Sequence, residues 1–380
     1  MFEPPRCPYR HCREHKEPSP GALRPWGSYQ PKCRAHPVPR FRCTSCERTF
    51  SRQTFRMDFR DHRPDLNARL FEFLISGAGL RQSARILKLS LRCTELKFRK
   101  LARHLRRLNL NLQAELSPKS ILQFDEFETF EGTRVVRPLT IAFLIEKETR
   151  FLVWAESARI PVRSRRSKKR KAIKLSPEEE RRRKADGSRS GIERTLRRGA
   201  ALTSAAASVQ LETDKKSSYV TLGKQVFGEA RLKHSRTSSR LVRDEKNPLF
   251  AINQAEAMAR DLLGRLRRDS WLASKKRRYL DLALQVFAAY RNYVRRRFNP
   301  DDFSAAQMLG FVPRRLRAGE LISWRQDWGR SSIHPMARGG ESIVTWGAER
   351  VSAHRRIIGH EARSRVLLHT TKPCSAESYP

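Results

Sequence analysis

Acidic residues are scarce in this chain. Its 380 residues include 39 Asp and Glu against 80 Lys and Arg, which leaves a formal net charge of +41. A surplus of this size indicates a polyanionic partner, either nucleic acid or, less often, an anionic membrane surface. The length suffices for two or three domains, because single cores rarely grow beyond about 250–300 residues.

Long apolar runs are also lacking. The longest, such as residues 139–145, fall far short of the roughly 20 residues that a membrane-spanning helix needs. Residues 1–10 contain no apolar core that could serve as a signal peptide. We therefore expect a cytoplasmic protein that binds nucleic acid and has no membrane partner.

Cysteine is too rare for a disulfide scaffold, since the chain has seven and five of them lie in the first 46 positions. Cys7-x4-Cys12 and Cys43-x2-Cys46 are two close pairs, and each pair can present two thiolates to one zinc ion. Such a zinc would be structural, because four protein ligands leave no open position for catalysis. Three nearby side chains could replace one of these ligands: Cys33, His36 and His15.

Residues 66–112 place apolar side chains at helical spacing, with breaks at 76–79 and 89–90. The pattern predicts three helices and favours a helix-turn-helix, with a last helix over residues 92–107. An ordinary three-helix bundle with a solvated basic face is the alternative. The basic residues expected to meet DNA are Arg92, Lys97, Arg99, Lys100 and Arg103.

Residues from 121 onward favour strands and then helices. ILQFDEFETF, PLTIAFLIE and TRFLVWAES are rich in β-branched and aromatic residues and predict three consecutive strands. SVQLE predicts a fourth strand that ends at 213–214, and another is expected at 229–233. Long helices are predicted at about 248–266 and 275–297, so this part of the chain belongs to the α/β class.

Asp125 lies in the middle of the first of these strands, where a buried carboxylate is costly unless it is paired or holds a metal. Alternation places Phe124 and Glu126 on one face, and Asp125 and Phe127 on the other. Asp214 follows a short strand, so the two aspartates could converge. Paired carboxylates hold Mg²⁺ through oxygen, and two such ions can support phosphodiester chemistry.

Residues 162–198 form a basic insert with 16 Lys and Arg against 5 Asp and Glu. A run of this kind is usually disordered or a solvated helix. Ser176 and Glu179 form a capping box for a helix within it. The insert could be an arm that neutralises phosphates, or a solvated loop without specific contacts.

The order of these parts resembles bacterial insertion-sequence transposases of the DDE type, which have an N-terminal zinc ribbon, a helix-turn-helix and a ribonuclease-H-like catalytic domain. The resemblance covers roughly residues 7–335. The stretches that carry it are RFRCTSCERTFSRQTFRMDFR, GLRQSARILKLS, FDEFETF and NPLFAINQAEAMARDLLGRLRRDSWLASKKRRYLDLALQVFAAYRNYVRR.

The resemblance implies that Asp125 is the first catalytic acid and Asp214 the second. In many relatives the third is a Glu followed seven residues later by a basic residue. Here Arg260 stands seven residues after Asn253, and Glu256 lies between them on the same helical face. Asn253 is the favoured third ligand and Glu256 the runner-up. Trp271, with Lys275 and Lys276, could contact a base at the end of the element.

The implied activity is cleavage and strand transfer of insertion-sequence ends with Mg²⁺ or Mn²⁺. The implied partners are duplex DNA, as terminal repeats and target, and further copies of the chain on paired ends, in a bacterial, nucleoid-associated setting. Two rivals remain: a catalytically inactive DNA-binding relative, and a zinc-ribbon RNA-binding protein.

The expected organisation is a multidomain α/β protein whose mixed-sheet catalytic domain has flanking helices. The expected domains are a zinc ribbon at 1–60, a helix-turn-helix at 61–115, a ribonuclease-H-like domain at 118–300 that contains the insert 162–198, a C-terminal extension at 301–335 and a poorly structured tail at 336–380.

Overall fold

The amino-terminal part of the chain folds into a small antiparallel sheet. The structure is a computed structural model that describes residues 2–30, 36–134, 136–162, 176–267, 272–298 and 301–326. The sheet has the order β1-β2-β3, and its core is made of aromatic side chains and cysteines. Its strands are β1 (Leu23–Tyr29), β2 (Val38–Cys43) and β3 (Thr49–Ser51).

Three helices follow, with breaks where the sequence predicts them. Gly77 in the first break has a φ of +84°, which other residues rarely adopt. The Ser90 hydroxyl accepts the Cys93 N–H and caps the third helix, which extends beyond the predicted 92–107 because its apolar face continues to a buried Leu112. The helices are α1 (Leu66–Ile75), α2 (Leu80–Ile86) and α3 (Leu91–Leu112).

A five-stranded mixed sheet has the order β6-β5-β4-β7-β8. The first three strands are antiparallel neighbours, and the next two join the sheet in parallel. The last strand does not begin at 229 as predicted, because residues 228–231 form the turn that precedes it. The strands are β4 (Ile121–Phe130), β5 (Pro138–Glu146), β6 (Leu152–Arg159), β7 (Val209–Asp214) and β8 (Leu232–Thr237).

Helices cover both faces of this sheet. α5 and α6 pack on one face and on each other, whereas α7 and α8 pack on the other. Phe124 contacts Tyr219 of α6 on the first face, and Phe143 contacts Phe287 of α8 on the second. The helices are α4 (Pro177–Lys184), α5 (Ser188–Ala200), α6 (Ser217–Phe227), α7 (Phe250–Leu262), α8 (Arg277–Ala289), α9 (Ala305–Met308) and α10 (Ala318–Ser323).

Two of these helices are shorter than predicted. The backbone of Leu263 turns to an extended conformation and ends α7, and a short 3-10 turn occupies Gly264–Leu266. α8 gives way to a π-helical turn at Tyr290–Val294. The apolar pattern continues through both turns, so periodicity alone placed the ends too far along the chain.

The prediction that residues 162–198 are disordered or solvated is wrong for α5. Ile192 and Leu196 are buried one turn apart, and the helix packs against β5 and β6. Gly191 permits this close approach, because a Cβ there would lie 2.8 Å from the Cβ of Ala158. The capping box of α4 is confirmed. Residues 163–175 lie outside the described part of the chain, as does the tail 336–380.

The predicted α/β class is thus confirmed in its coarse form, a five-stranded mixed sheet and a three-stranded sheet with helices. The described residues all belong to one compact unit, Met1–Ile333. In the described part of the chain, no helix has the length and apolar character required to cross a membrane.

Candidate functional site

The four predicted cysteines come together in the amino-terminal module. The Sγ atoms of Cys7 and Cys46 lie 3.7 Å apart, and those of Cys12 and Cys43 lie 3.6 Å apart. All four sulfurs lie within 4.8 Å of one another. When four sulfurs bind one zinc ion tetrahedrally with Zn–S bonds of about 2.3 Å, the sulfurs lie about 4 Å from one another or slightly closer. The cluster could therefore bind a structural metal such as zinc.

The other candidate ligands take different positions. His15 directs its Nδ1 to the carbonyl oxygen of Cys7 at 2.7 Å and so supports the cluster from outside. His36 is exposed, and Cys33 lies outside the described residues. Burial raises the pKa of the Cys7 thiol, so a thiolate at this position needs a cation beside it.

The two aspartates lie on neighbouring parallel strands. Gln123 of β4 pairs with Glu212 of β7 at the end of their ladder, and Asp125 and Asp214 each lie two residues further along their strands. Residues at the same level of two adjacent parallel strands point to the same face of the sheet, and the strands lie about 4.8 Å apart. The strand order therefore brings together two carboxylates that are 89 positions apart in the chain.

Asp125 is 9% exposed, and its Oδ1 accepts the backbone N–H of Glu126 at 2.7 Å. Burial raises the pKa of Asp125 to about 6, the negative charge of Asp214 adds to the rise, and the Glu126 N–H and Arg243 oppose it. A carboxylate in this environment gains free energy when a cation approaches.

Helix α7 crosses above this face, and Gln123 fixes where it begins. The fully buried Gln123 amide accepts the N–H of Ile252 at 3.1 Å and donates to the carbonyl oxygen of Pro248 at 2.6 Å. It also donates to Glu212 at 2.7 Å. The amide thus satisfies an N–H of the first turn of α7. It also ties that turn to β4 at a position two residues before Asp125.

Glu256 lies one turn further along α7. It is 5% exposed, and its Oε1 is buried without a hydrogen-bond partner among the described residues. Burial and the charge of Asp125 raise the pKa of Glu256, whereas Arg260 and Arg243 oppose the rise. The two carboxylates are therefore close enough to influence each other.

The structure encloses Glu256 more fully at this face than Asn253, the residue that sequence spacing preferred. Asn253 is only half-buried, and the contact described for it is a backbone N–H to the carbonyl oxygen of Leu249. Arg260, the basic residue on which the preference rested, stacks over the ring of Phe127 at 4.7 Å. It therefore accompanies Glu256 at this face.

The acids are less tightly gathered than the cysteines. Within the described residues, the four cysteines are the only group of three or more His, Cys, Asp or Glu whose ligand atoms all lie within 4.8 Å of one another. In two-metal sites the ions themselves lie about 3.5–4 Å apart, so carboxylates on different ions need not touch.

Sequence reasoning missed several residues around the acids. Glu126, on the opposite face of β4, forms an ion pair with Lys216 and accepts the hydroxyl of Tyr219 at 2.9 Å. A polar Gln123 in an apolar strand, two residues before Asp125, was an available signal for the helix anchor. No sequence pattern identified Arg243, because its position near Asp125 and Glu256 depends on the conformation of the loop before α7.

Most of the predicted DNA-binding residues of α3 lie on its accessible side, but Lys97 does not. Arg92, Lys100 and Arg103 are exposed, and Arg99 is half-exposed. Lys97 is 4% exposed and pairs with Asp61 at 2.6 Å, so its assignment to the DNA-facing side is wrong. Its partner lies 36 positions away, outside any local pattern.

Two clefts border this side of α3. One, of about 400 Å³, lies between α3 and residues 60–63. The other, of about 320 Å³, lies between α3, β6 and α8. Arg99 and Arg103 line both clefts, which makes α3 the ridge between two basic grooves.

Lys275 and Lys276 are exposed at the start of α8. The adjacent backbone is tied to the loop after β4, since the Gly132 N–H donates to the carbonyl oxygen of Ser274 at 2.7 Å. Trp271, predicted to act with these lysines, lies outside the described residues.

No protein-family model matches the chain, and no curated protein matches it either.

Proposed function

We propose that the chain is a DDE-type transposase that cuts DNA at insertion-sequence ends and joins them to target DNA. The proposal is supported by the parallel pairing of β4 with β7, by the charge of Asp214 that raises the pKa of Asp125, and by the buried Glu256 on the helix that packs on this face. The strand order, with three antiparallel strands followed by two parallel ones, supports a ribonuclease-H-like domain.

Asp125 and Asp214 would hold Mg²⁺ or Mn²⁺, and Glu256 would complete the ligand set. Bound metal would activate the attacking oxygen and stabilise the leaving oxygen. In cleavage, water attacks phosphorus, and the P–O3′ bond breaks to leave a 3′-hydroxyl. In transfer, that hydroxyl attacks a target phosphodiester and displaces another 3′-oxygen. The three carboxylates would position the reacting groups through the metal ions that they hold.

The basic side of α3 would contact the phosphate backbone, and the cysteine cluster would hold structural zinc. Arg99 and Arg103 lie one turn apart on that side, which suits phosphates along one groove. Binding to duplex terminal repeats and assembly of several copies on paired ends are part of the proposal.

Cleavage by the zinc-loaded chain tests the catalytic proposal. The substrate is labelled duplex DNA from the two ends of the genomic segment that encodes the chain, incubated with Mg²⁺ or Mn²⁺. We expect Asp125→Asn, Asp214→Asn and Glu256→Gln each to lower the cleavage rate by at least about 100-fold. Glu128→Gln, on the opposite face of β4, is the matched control and should cleave normally.

Asn253→Ala decides between the two candidate third ligands. Cleavage that survives Asn253→Ala but not Glu256→Gln supports the ligand set proposed here, and the reverse result restores Asn253. Unchanged cleavage by both Asp125→Asn and Asp214→Asn would show that these aspartates are not catalytic.

A DNA-binding relative that does not cut is the second candidate. It is favoured by the open spacing of the acids and by the cationic Arg243 beside them. This candidate predicts metal-independent binding of the same DNA without any cleavage product.

A further inference from the structure

Trp26 is an exposed aromatic residue on β1, in the small amino-terminal sheet next to the four cysteines. Its side chain is 48% exposed, although large aromatic residues usually lie in a core or at an interface. The pairing of β1 with β2 shifts between Pro25 and Ser28, so Trp26 and Gly27 together oppose Arg40. Such a bulge redirects a side chain, and bulges are common next to functional sites.

Arginines surround Trp26 on the outer face of the sheet. Phe41 and Cys43 of β2 point into the core, so Arg40 and Arg42 lie on the other side of the strand. Both arginines are half-buried there, and the Nε of Arg40 is enclosed. Arg24 lies directly opposite Arg42 in the register. Like charges opposite each other are destabilising in a sheet, and a bound polyanion would relieve this repulsion.

Arg42 also orients the indole. Its guanidinium lies 4.7 Å from the centre of the Trp26 ring, within the range of a cation–π contact. Arg42 reaches Glu47 at 3.3 Å as well, but that carboxylate is mostly exposed and the pair adds little stability. The indole is therefore held in place on an arginine-rich surface while about half of it remains accessible.

We propose that this face binds single-stranded DNA, with an unpaired base stacked on Trp26 and phosphates contacted by Arg24, Arg40 and Arg42. An exposed aromatic ring among arginines is the arrangement that single-strand binding requires, because every base offers a π face and the backbone is anionic. The choice of DNA rests on the proposed function, in which strand cleavage leaves a free 3′ end that can separate from its complementary strand.

Binding of two related DNAs to the full zinc-loaded chain tests the inference. One probe is a fluorescein-labelled blunt duplex, and the other is the same duplex with a single-stranded overhang. We expect Trp26→Ala to weaken binding of the overhang probe by about tenfold and of the blunt probe by less than about twofold. Trp26→Phe should recover most of the loss, and Ser28→Ala on the same strand is the matched control.

The outcomes separate the alternatives. Equal effects of Trp26→Ala on both probes, with zinc content unchanged, would overturn the proposal, as would no effect on either. A change from dimer to monomer in sedimentation without a change in binding would assign Trp26 to a contact between copies and also overturn it. Because binding is measured and not cleavage, failure here leaves the catalytic proposal untouched.

Discussion

Asp125 keeps a raised pKa although it accepts a backbone N–H, so at neutral pH it carries a charge that the fold itself disfavours. The nearby charge of Asp214 adds to this effect. A site that is unfavourable when empty of cations gains most from binding them, because the ions remove the repulsion between carboxylates. The raised pKa of Asp125 follows first from its burial in β4 and then from the charge of Asp214.

We expect Asp125→Asn to stabilise the chain at neutral pH in zinc-containing buffer without Mg²⁺. The folded state keeps the Asp125 proton up to about pH 6, whereas the unfolded chain releases it near about pH 4. The folded state binds more protons in this window, so wild-type stability falls as pH rises through it. Above pH 6, urea denaturation should give the variant a free energy of unfolding that exceeds that of the wild type by up to about 3 kcal/mol.

This difference in the free energy of unfolding should disappear below about pH 4, where the Asp125 carboxyl is protonated in both the folded and the unfolded state. Asp302→Asn, at an exposed acid paired with Arg296, should track the wild type at every pH. A constant difference between Asp125→Asn and wild type across this range would mean that titration of Asp125 is not its source.

Single residues were predictable when local chemistry identified them and not when a distant partner did. Asp125 was recognisable because a carboxylate is rare in an apolar strand, and the cysteines because of their spacing. Lys97 resembled the arginines around it, but Asp61, Asn67 and the carbonyl oxygen of Arg63 hold its ammonium group inside. Burial alone would raise the pKa of Asp61, yet hydrogen bonds that it accepts from Lys97, the Asn67 amide and the Arg63 N–H lower it.

At the scale of elements, Gln123 joins the sheet to α7. Its amide group accepts the N–H of Ile252 in the helix and donates to the carbonyl oxygen of Pro248 and to the carboxylate of Glu212. Glu212 is also held by Lys147 at 2.8 Å. A chain of polar contacts therefore runs from the start of α7 across β4 to β7, beside the proposed catalytic face.

Gln123→Leu should destabilise the chain by about 2–4 kcal/mol, because it removes three hydrogen bonds and leaves the buried N–H of Ile252 without its partner. Gln285→Leu is the matched control: this glutamine is also buried, but its Oε1 has no hydrogen-bond partner among the described residues. That change should be neutral or stabilising in the same urea titration. Equal losses for both variants would show that side-chain volume, and not the hydrogen bonds of Gln123, explains the effect.

Helices and strands were predicted where one periodicity dominated. The breaks before α2 and α3 were visible as Gly and Ser, and three strands of the sheet as apolar runs. α5 was hidden, because its arginines outnumber its two large buried apolar residues, Ile192 and Leu196. The register of β4 with β7 could not be read from either strand, since it depends on the chain between them.

At the scale of the molecule, the three amino-terminal helices and the mixed sheet pack against each other. α3 lies along α8, and Phe98 of α3 stacks on Tyr279 of α8 with ring centres 6.3 Å apart. The turn between α1 and α2 rests on the segment after α7, where Gly77 approaches Gly264. The basic side of α3 is thereby fixed relative to Asp125, an arrangement that suits one DNA contacting both.

Gly264→Ala tests this docking. A Cβ at Gly264 would lie well inside van der Waals contact of the backbone carbonyl oxygen of Gly77, and the side chain of Leu272 blocks the other direction at 2.7 Å. Backbone cannot move aside cheaply, so we expect a loss of about 2–3 kcal/mol in urea denaturation. Hydrogen exchange should rise at Gly77 and Gly79, because the turn must separate from the segment after α7.

Gly319→Ala is the matched control for that change. Gly319 lies in α10, and a Cβ there would meet no atom within 4 Å. Alanine in a helix should instead add about 0.5–1 kcal/mol, because the unfolded chain loses conformational freedom. If Gly264→Ala were as stable as Gly319→Ala, the three helices could move on the sheet without cost. α3 would then present its arginines to DNA independently of the acids, and a fixed path from helix to active site would have to be abandoned.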